Sequence, residues 1–245
     1  MSASLVLTQT RFDLRLVMRN GEQLLLTVLI PLALLLALSL SSFVSLDVPD
    51  GTTRVSAALS GVLTVAVISS AFTSLAISVG FDRRSGALLM LATTPLSRTA
   101  ILASRALATL VIVIGQTVVL MAVAAVLGWR PGPSALVALL VVILGALAFG
   151  SLGFALAGAV RAEATLALAN GIFLALIFVG GAIVPASSLP GPLATVVVWL
   201  PSAALGDALR ALLAAGSGAV IVDAVVLLAW GAAGALIAAR TFKWD

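Results

Sequence analysis

The sequence predicts an all-α integral membrane protein with six transmembrane helices, an N-terminal interfacial helix and external re-entrant helices between the fifth and sixth spans. Three observations predict it. Of 245 residues, 62% are hydrophobic and 9% are charged, against roughly 25% charged in a soluble domain, so 13 basic and 9 acidic side chains cannot cover a water-facing exterior. Apolar residues gather into six stretches, each of about the 20 residues that cross a bilayer. The basic residues fall mostly on one side of the topology those stretches define.

The elements follow in order as one membrane domain over residues 1–245. Residues 1–23 form a cytoplasmic segment in which Arg11, Arg15 and Arg19 recur every four residues, making one stripe with Phe12 and Leu16 beside it. Asp13 interrupts the apolar arc. The spacing fits an interfacial helix, and it equally fits arginines that only set topology. The first span, Leu24 to Val44, is too long for a signal-peptide core and no clear A-x-A site follows, so it reads as retained. The next spans are Val55 to Val79, Leu107 to Leu127, Ser134 to Val160, Ala164 to Val184 and Gly218 to Ala239. Of the nine prolines only Pro31 lies inside a span, as expected of a helix breaker.

Residues 185–217 are apolar but broken by Pro190, Pro192, Pro201, Asp207 and Arg210. A seventh crossing would carry Arg240 and Lys243 outside, so short helices dipping in from the outer side fit better. With the N-terminus in the cytoplasm, Arg11, Arg15, Arg19, Arg83, Arg84, Arg98, Arg105, Arg161, Arg240 and Lys243 lie inside, and Arg54, Arg130 and Arg210 outside. Both termini are then cytoplasmic, as the positive-inside rule requires. Small residues at helical spacing, such as Ser56, Ser60 and Thr64, Ala146 and Gly150, and Gly153 and Ala157, mark seams for close helix packing.

Composition excludes much chemistry. The chain has no cysteine and no histidine, which removes thiolate catalysis, disulfides, the commonest metal ligand and the commonest general base. No metal site is expected. No P-loop is present, and the one lysine is Lys243. The basic pI accompanies a net charge of only +4 with no basic run, so nucleic acid is not an expected partner. Asp223 is the one clear ionisable residue within a span, near its end, where a structural partner such as Arg210 is the simpler reading than ion coupling. Gln116 and Asn170 read as helix-to-helix hydrogen-bonding groups.

The most informative segment is the cytoplasmic loop 81–105, FDRRSGALLMLATTPLSRTAILASR. Charges open and close it, while residues 87–92 are apolar and too short to cross. Thr93, Thr94 and Pro95 stop that short helix, and residues 95–97 begin another. An apolar helix between basic flanks is a docking surface for a partner, or else a helix lying on the membrane.

At Arg83, Gly86, Thr94, Pro95, Leu96, Ser97 and Arg98 the loop resembles that of the membrane subunits of ABC-2 type exporters, including the daunorubicin-resistance type. This chain carries Ala87, Leu88 and Leu89 where family members often have Thr-Leu-Glu. A second resemblance covers the segment after the fifth span, at Pro185, Leu189, Pro190, Leu200, Pro201, Leu209 and Arg210. The resemblance implies a permease subunit of the plasma (bacterial inner) membrane, itself not an enzyme. It implies pairing with a second permease, identical or related, and with separate ABC ATP-binding subunits. ATP and Mg would be bound by those subunits and no cofactor by this chain. The resemblance further implies coupling to the ATPase through Arg83, Arg84, Gly86, Leu88, Leu89, Thr94, Pro95 and Arg98. It implies an external gate at Pro185, Pro190, Pro201, Asp207 and Arg210. The cargo expected is hydrophobic or amphipathic: a drug, a lipid or a lipid-linked glycan. The alternatives are a non-transporting membrane scaffold and a lipid-processing membrane enzyme.

Overall fold

A computed structural model describes residues 3–21, 25–41, 48, 52–94, 96–182, 191–215 and 220–242, and every regular element among them is helical. Helix α1 spans Ala3–Arg19. A π turn, Leu25–Leu29, leads into α2, Ile30–Leu40, with Pro31 in its first turn, where a missing N–H costs nothing. Helix α3 runs continuously over Arg54–Arg84 and contains a π segment, Ile68–Ser74. It starts at a capping box: the Thr53 hydroxyl accepts from the Ser56 amide and the Ser56 hydroxyl from the Thr53 amide, both at 3.2 Å.

Next come α4 (Ala87–Ala92), α5 (Arg98–Val126), α6 (Ser134–Ala159), α7 (Ala162–Phe178), α8 (Gly191–Val197), α9 (Pro201–Arg210, followed by a π turn, Ala211–Ala215) and α10 (Val220–Thr241). Helix α6 is the centre of the bundle and touches α3, α5, α9 and α10, the last most extensively. The small residues do what their spacing predicted. The Ser151 hydroxyl donates to the Gly231 carbonyl at 3.0 Å across the α6–α10 seam. A Cβ on Gly153 would lie 3.1 Å from the Phe72 carbonyl of α3. Outward faces of α5 and α10 expose Val118, Val119, Ile221, Leu228 and Leu236, the pattern of a lipid-facing surface.

Four helices are long and apolar enough to cross: Arg54–Arg84, Thr99–Val126, Ser134–Ala159 and Val220–Thr241. The first and fifth expected spans contain shorter apolar helices, Thr27–Leu40 and Ala162–Phe178. Helix α7 stops before the expected end at Val184 because Gly180 and Gly181 terminate it: Gly180 N–H returns to the Ala175 and Leu176 carbonyls at 3.1 Å, and Gly181 takes a left-handed φ of 76°. Helices α3 and α5 extend past their expected inner ends, so most of the loop 81–105 is helix, and Arg105 lies within α5 rather than at a loop boundary.

Helix α8 and the helix Pro201–Ala214 meet at 90°. Pro201 supplies the first helical residue of α9. Their corner packs against the middle of two spans. Trp230, half-way along α10, donates from its indole to the Trp199 carbonyl at 2.8 Å. Leu205 fills the space left by Gly145, half-way along α6, where an added Cβ would lie 2.8 Å from the leucine.

Candidate functional site

Two regions collect the residues singled out in the sequence. The first is the end at which α3, α4 and α5 meet. Gly86, with φ 76°, turns the chain from α3 into α4, and Ser97 caps α5 by accepting from the Ala100 amide at 3.2 Å. Helix α4 spans the six residues read as a short apolar helix, Ala87–Ala92. Its leucines divide. Leu88 is 1% exposed, in a cluster with Val79, Ile101, Phe154 and Ala238, so it anchors α4 to the bundle instead of facing a partner. Leu89 and Met90, 50% and 75% exposed, form the outward face. The Thr93 and Thr94 hydroxyls donate back to the Met90 and Leu91 carbonyls at 2.7 and 2.5 Å, closing the helix. Pro95 and the Arg98 side chain lie outside the described residues.

The arginines divide in the same way. Arg83 Nη1 donates to the Ala157 and Val160 carbonyls at 2.6 and 3.1 Å, holding the C-terminal end of α6, where carbonyls lack helical partners and the dipole favours a cation. Arg84 pairs with Glu163 at the start of α7, both side chains well exposed. Arg83→Gln is therefore expected to cost about 1–3 kcal/mol by leaving two partly buried carbonyls without their charged donor. Arg84→Gln is expected to cost under about 1 kcal/mol, as an exposed pair does. Thermal unfolding of the two variants in detergent checks the contrast, and equal midpoints would refute the assignment of Arg83 as a clamp.

The same end holds a network that sequence reasoning missed. Arg105 of α5 lies between two carboxylates, with Nη2 2.7 Å from Asp82 Oδ2 of α3 and Nε 3.7 Å from Asp13 Oδ2 of α1. Asp13 also accepts from Gln9 Nε2 at 2.9 Å and the Ser104 hydroxyl at 3.3 Å. It is 4% exposed, and burial raises its carboxyl pKa above the ordinary value, with the nearby Arg105 opposing that shift. The buried stripe of α1 is thus Val6, Thr10 and Asp13 against α5, and Thr10 Oγ1 reaches the Ser104 carbonyl at 3.4 Å. Arg11, Arg15 and Arg19 face outward beside Phe12 and Leu16. The available signal was Asp13 itself: what reads as a break in the apolar arc is the contact point with a neighbouring helix.

Deeper in the bundle, Gln116 of α5 donates to the Thr27 carbonyl at 2.6 Å and accepts from the Ser70 hydroxyl at 3.1 Å, tying together the π turns of α2 and α3.

The second region surrounds α9, which is buried along nearly its whole length. Arg210 pairs with Asp207 at 2.7 Å and donates to the Gly181 and Ala182 carbonyls at 2.9 and 3.3 Å. The Ser202 hydroxyl donates to the Gly180 carbonyl at 2.5 Å. Asp223 of α10 lies within electrostatic reach of Asp207 and Arg210. Pro201 is buried; Pro185 and Pro190 lie outside the described residues. Arg210 thus ties α9 to the backbone that follows α7, and the region is a set of locks between α7, α9 and α10 rather than a reactive centre. Among the described residues, no three carboxylates converge to hold a metal.

A family model described as ABC-2 family transporter protein matches residues 39–240. No curated protein matches the chain.

Proposed function

The chain belongs to the ABC-2 transporter family and is a multi-pass membrane subunit of an ABC transporter, and from that premise we propose that it exports a hydrophobic or amphipathic substrate. A separate ATP-binding subunit energises it by docking on Leu89 and Met90. The observation that carries this reading is the division within α4: Leu88 fastens the short helix to the bundle while its two neighbours face outward. A helix held on one side and apolar on the other transmits force, because displacement of the outer face moves α3 and α5 with it. ATP drives transport only through contacts that differ between two conformations, and an anchored lever supplies such contacts.

In this reading the end bearing α4 is cytoplasmic, in agreement with the ten inward basic residues, and both termini lie on that side of the plasma membrane. The α8–α9 corner then sits near mid-depth, since the Trp230 and Gly145 levels lie about 15 Å of helix from the outer ends of α10 and α6. The buried α9, locked by Arg210, closes the outer end. A second permease copy, identical or related, completes the pathway. The cargo is a drug, lipid or lipid-linked glycan.

The test is the double variant Leu89→Asp, Met90→Asp, reconstituted with its ATP-binding subunit. The expected result is an unchanged unfolding midpoint with association and substrate-stimulated ATP hydrolysis lowered about tenfold or more, the loss of an apolar hot spot of about 1.4 kcal/mol or above. Unchanged stimulation would show that the ATPase docks elsewhere.

A further inference from the structure

Helix α1 joins the bundle along one stripe, where Val6, Thr10 and Asp13 are buried and the main contacts are with α5. The opposite face carries Arg11, Arg15 and Arg19, all exposed, within about 80° of the helix circumference and about 12 Å of its length. Among the described residues, none of their guanidinium groups makes a hydrogen bond or an ion pair. The sole acidic residue of Ala3–Arg19 is Asp13, which faces the other way, toward Arg105. The stripe is therefore a row of three positive charges with no counter-charge on its own helix.

Two further observations identify what covers this row. Exposed apolar side chains flank it on both edges, Leu7 and Met18 on one and Phe12 and Leu16 on the other. Water alone does not favour that pattern, whereas a bilayer interface accommodates guanidinium groups and apolar side chains together. The second observation is the position of α1 on α5. Ser104 is completely buried under α1, its hydroxyl donating to Asp13 Oδ2 at 3.3 Å and its carbonyl 3.4 Å from Thr10 Oγ1. One and two turns further along, the same side of α5 presents Leu107 and Val111, both exposed. The face that α1 covers thus becomes lipid-facing within two turns, which puts α1 at the edge of the hydrocarbon, where headgroup phosphates lie.

We propose that the outer stripe of α1 is a binding surface for anionic phospholipid, with headgroup phosphates across Arg11, Arg15 and Arg19 and acyl chains against Phe12 and Leu16. Each guanidinium offers a planar fork of donors that matches two phosphate oxygens. A zwitterionic headgroup brings the same phosphate with an ammonium beside it, which three like charges repel, so the surface selects net negative charge. This binding needs a bilayer but neither an ATP-binding subunit nor a cargo, and it goes beyond the permease reading.

The chain has no cysteine, so Ser4→Cys, towards the N-terminal end of the same stripe, carries a single fluorophore. The full chain is placed in phosphatidylcholine nanodiscs containing phosphatidylglycerol or phosphatidylcholine with a quencher on one acyl chain. Half-maximal quenching is expected at a mole fraction about tenfold or more lower for phosphatidylglycerol, since each arginine near an anionic surface contributes about fivefold. Raising the salt should shrink that preference in the unsubstituted stripe. Arg11→Gln with Arg15→Gln should bring the two lipids within about threefold of each other, with an unchanged unfolding midpoint in lipid-free detergent. Arg161→Gln with Arg240→Gln removes the same charge from exposed positions off α1 and should leave the preference in place. Equal quenching by both lipids, a preference indifferent to salt, or equal losses from the two double variants overturns the surface. Loss of the ATP-binding subunit from the Arg11 and Arg15 variant in phosphatidylcholine alone would make the stripe a protein-docking face instead, and overturns it too.

Discussion

Replacing Arg105 with leucine is expected to destabilise the chain by about 3–5 kcal/mol, the cost of removing one partner from a buried ion pair. The magnitude follows from what is left behind. Asp13 is 4% exposed and Asp82 is partly buried, and without the guanidinium they remain as like charges near one another. Asp13 does not reach water easily, because α1 packs against α5 at this point. Three elements lose their common fastening, so α1 should separate from α5 before the rest of the bundle unfolds. Thermal unfolding in detergent together with proteolytic release of residues 1–21 reads both effects. Neutralising the carboxylates in the same background, Asp13→Asn with Asp82→Asn, should recover most of the loss. A midpoint shift for Arg105→Leu no larger than that of Arg84→Gln would show that the network holds nothing together.

Gly181→Ala is expected to cost about 2–4 kcal/mol, of which about 1 is backbone strain and the remainder overpacking. The backbone part arises because φ is 76°. The packing part arises because the new Cβ would lie 2.8 Å from the Ala203 Cβ and 3.1 Å from its Cα, and a helix backbone cannot rotate out of the way. Gly128 separates the two contributions: its φ is 102°, yet nothing lies within 4 Å of a Cβ built on it. Gly128→Ala should therefore show the strain alone. Displacement of α9 by the larger residue would also strain the Ser202 and Arg210 bonds to Gly180 and Gly181 and loosen the Trp199–Trp230 contact. Near-ultraviolet dichroism should report Trp199 and Trp230 in Gly181→Ala, whereas in Gly128→Ala any change is confined to the adjacent Trp129. Equal midpoints for the two variants would mean that α9 is not packed as described.

Local rules carried the reading of the sequence a long way. Hydropathy located the four long spans, and the stop at Thr93 and Thr94 bounded α4 to its six residues. These features depend on neighbours in the chain. What was illegible depends on residues far apart in it. Asp13 and Arg105 are 92 positions apart, and the loop's charges read alike until the fold sends Arg83 to α6, Arg84 to α7 and Arg105 to α1. Leu88 and Leu89 are chemically identical, and only the packing of α3, α5, α6 and α10 around α4 decides which one is buried. Hydropathy likewise carried the fifth span through Gly180 and Gly181, because an average over apolar residues does not register how closely Ala203 approaches.

The π segment within α3 makes chain length itself a determinant of the network around Arg105. Wide turns shift the angular phase of the helix, so the N-terminal half, with Ser56, Ser60 and Thr64 buried, and the C-terminal half, with Asp82 at Arg105, are indexed separately. Adding or deleting one residue between 68 and 74 would swing Asp82 by about 100° about the axis, away from Arg105, with every side chain still present. Substitutions in this stretch change chemistry at one place; a change of count there would re-aim a whole half-helix. Related chains that keep the carboxylate–arginine–carboxylate arrangement should therefore conserve the number of residues between Thr53 and Asp82 more strictly than their identities.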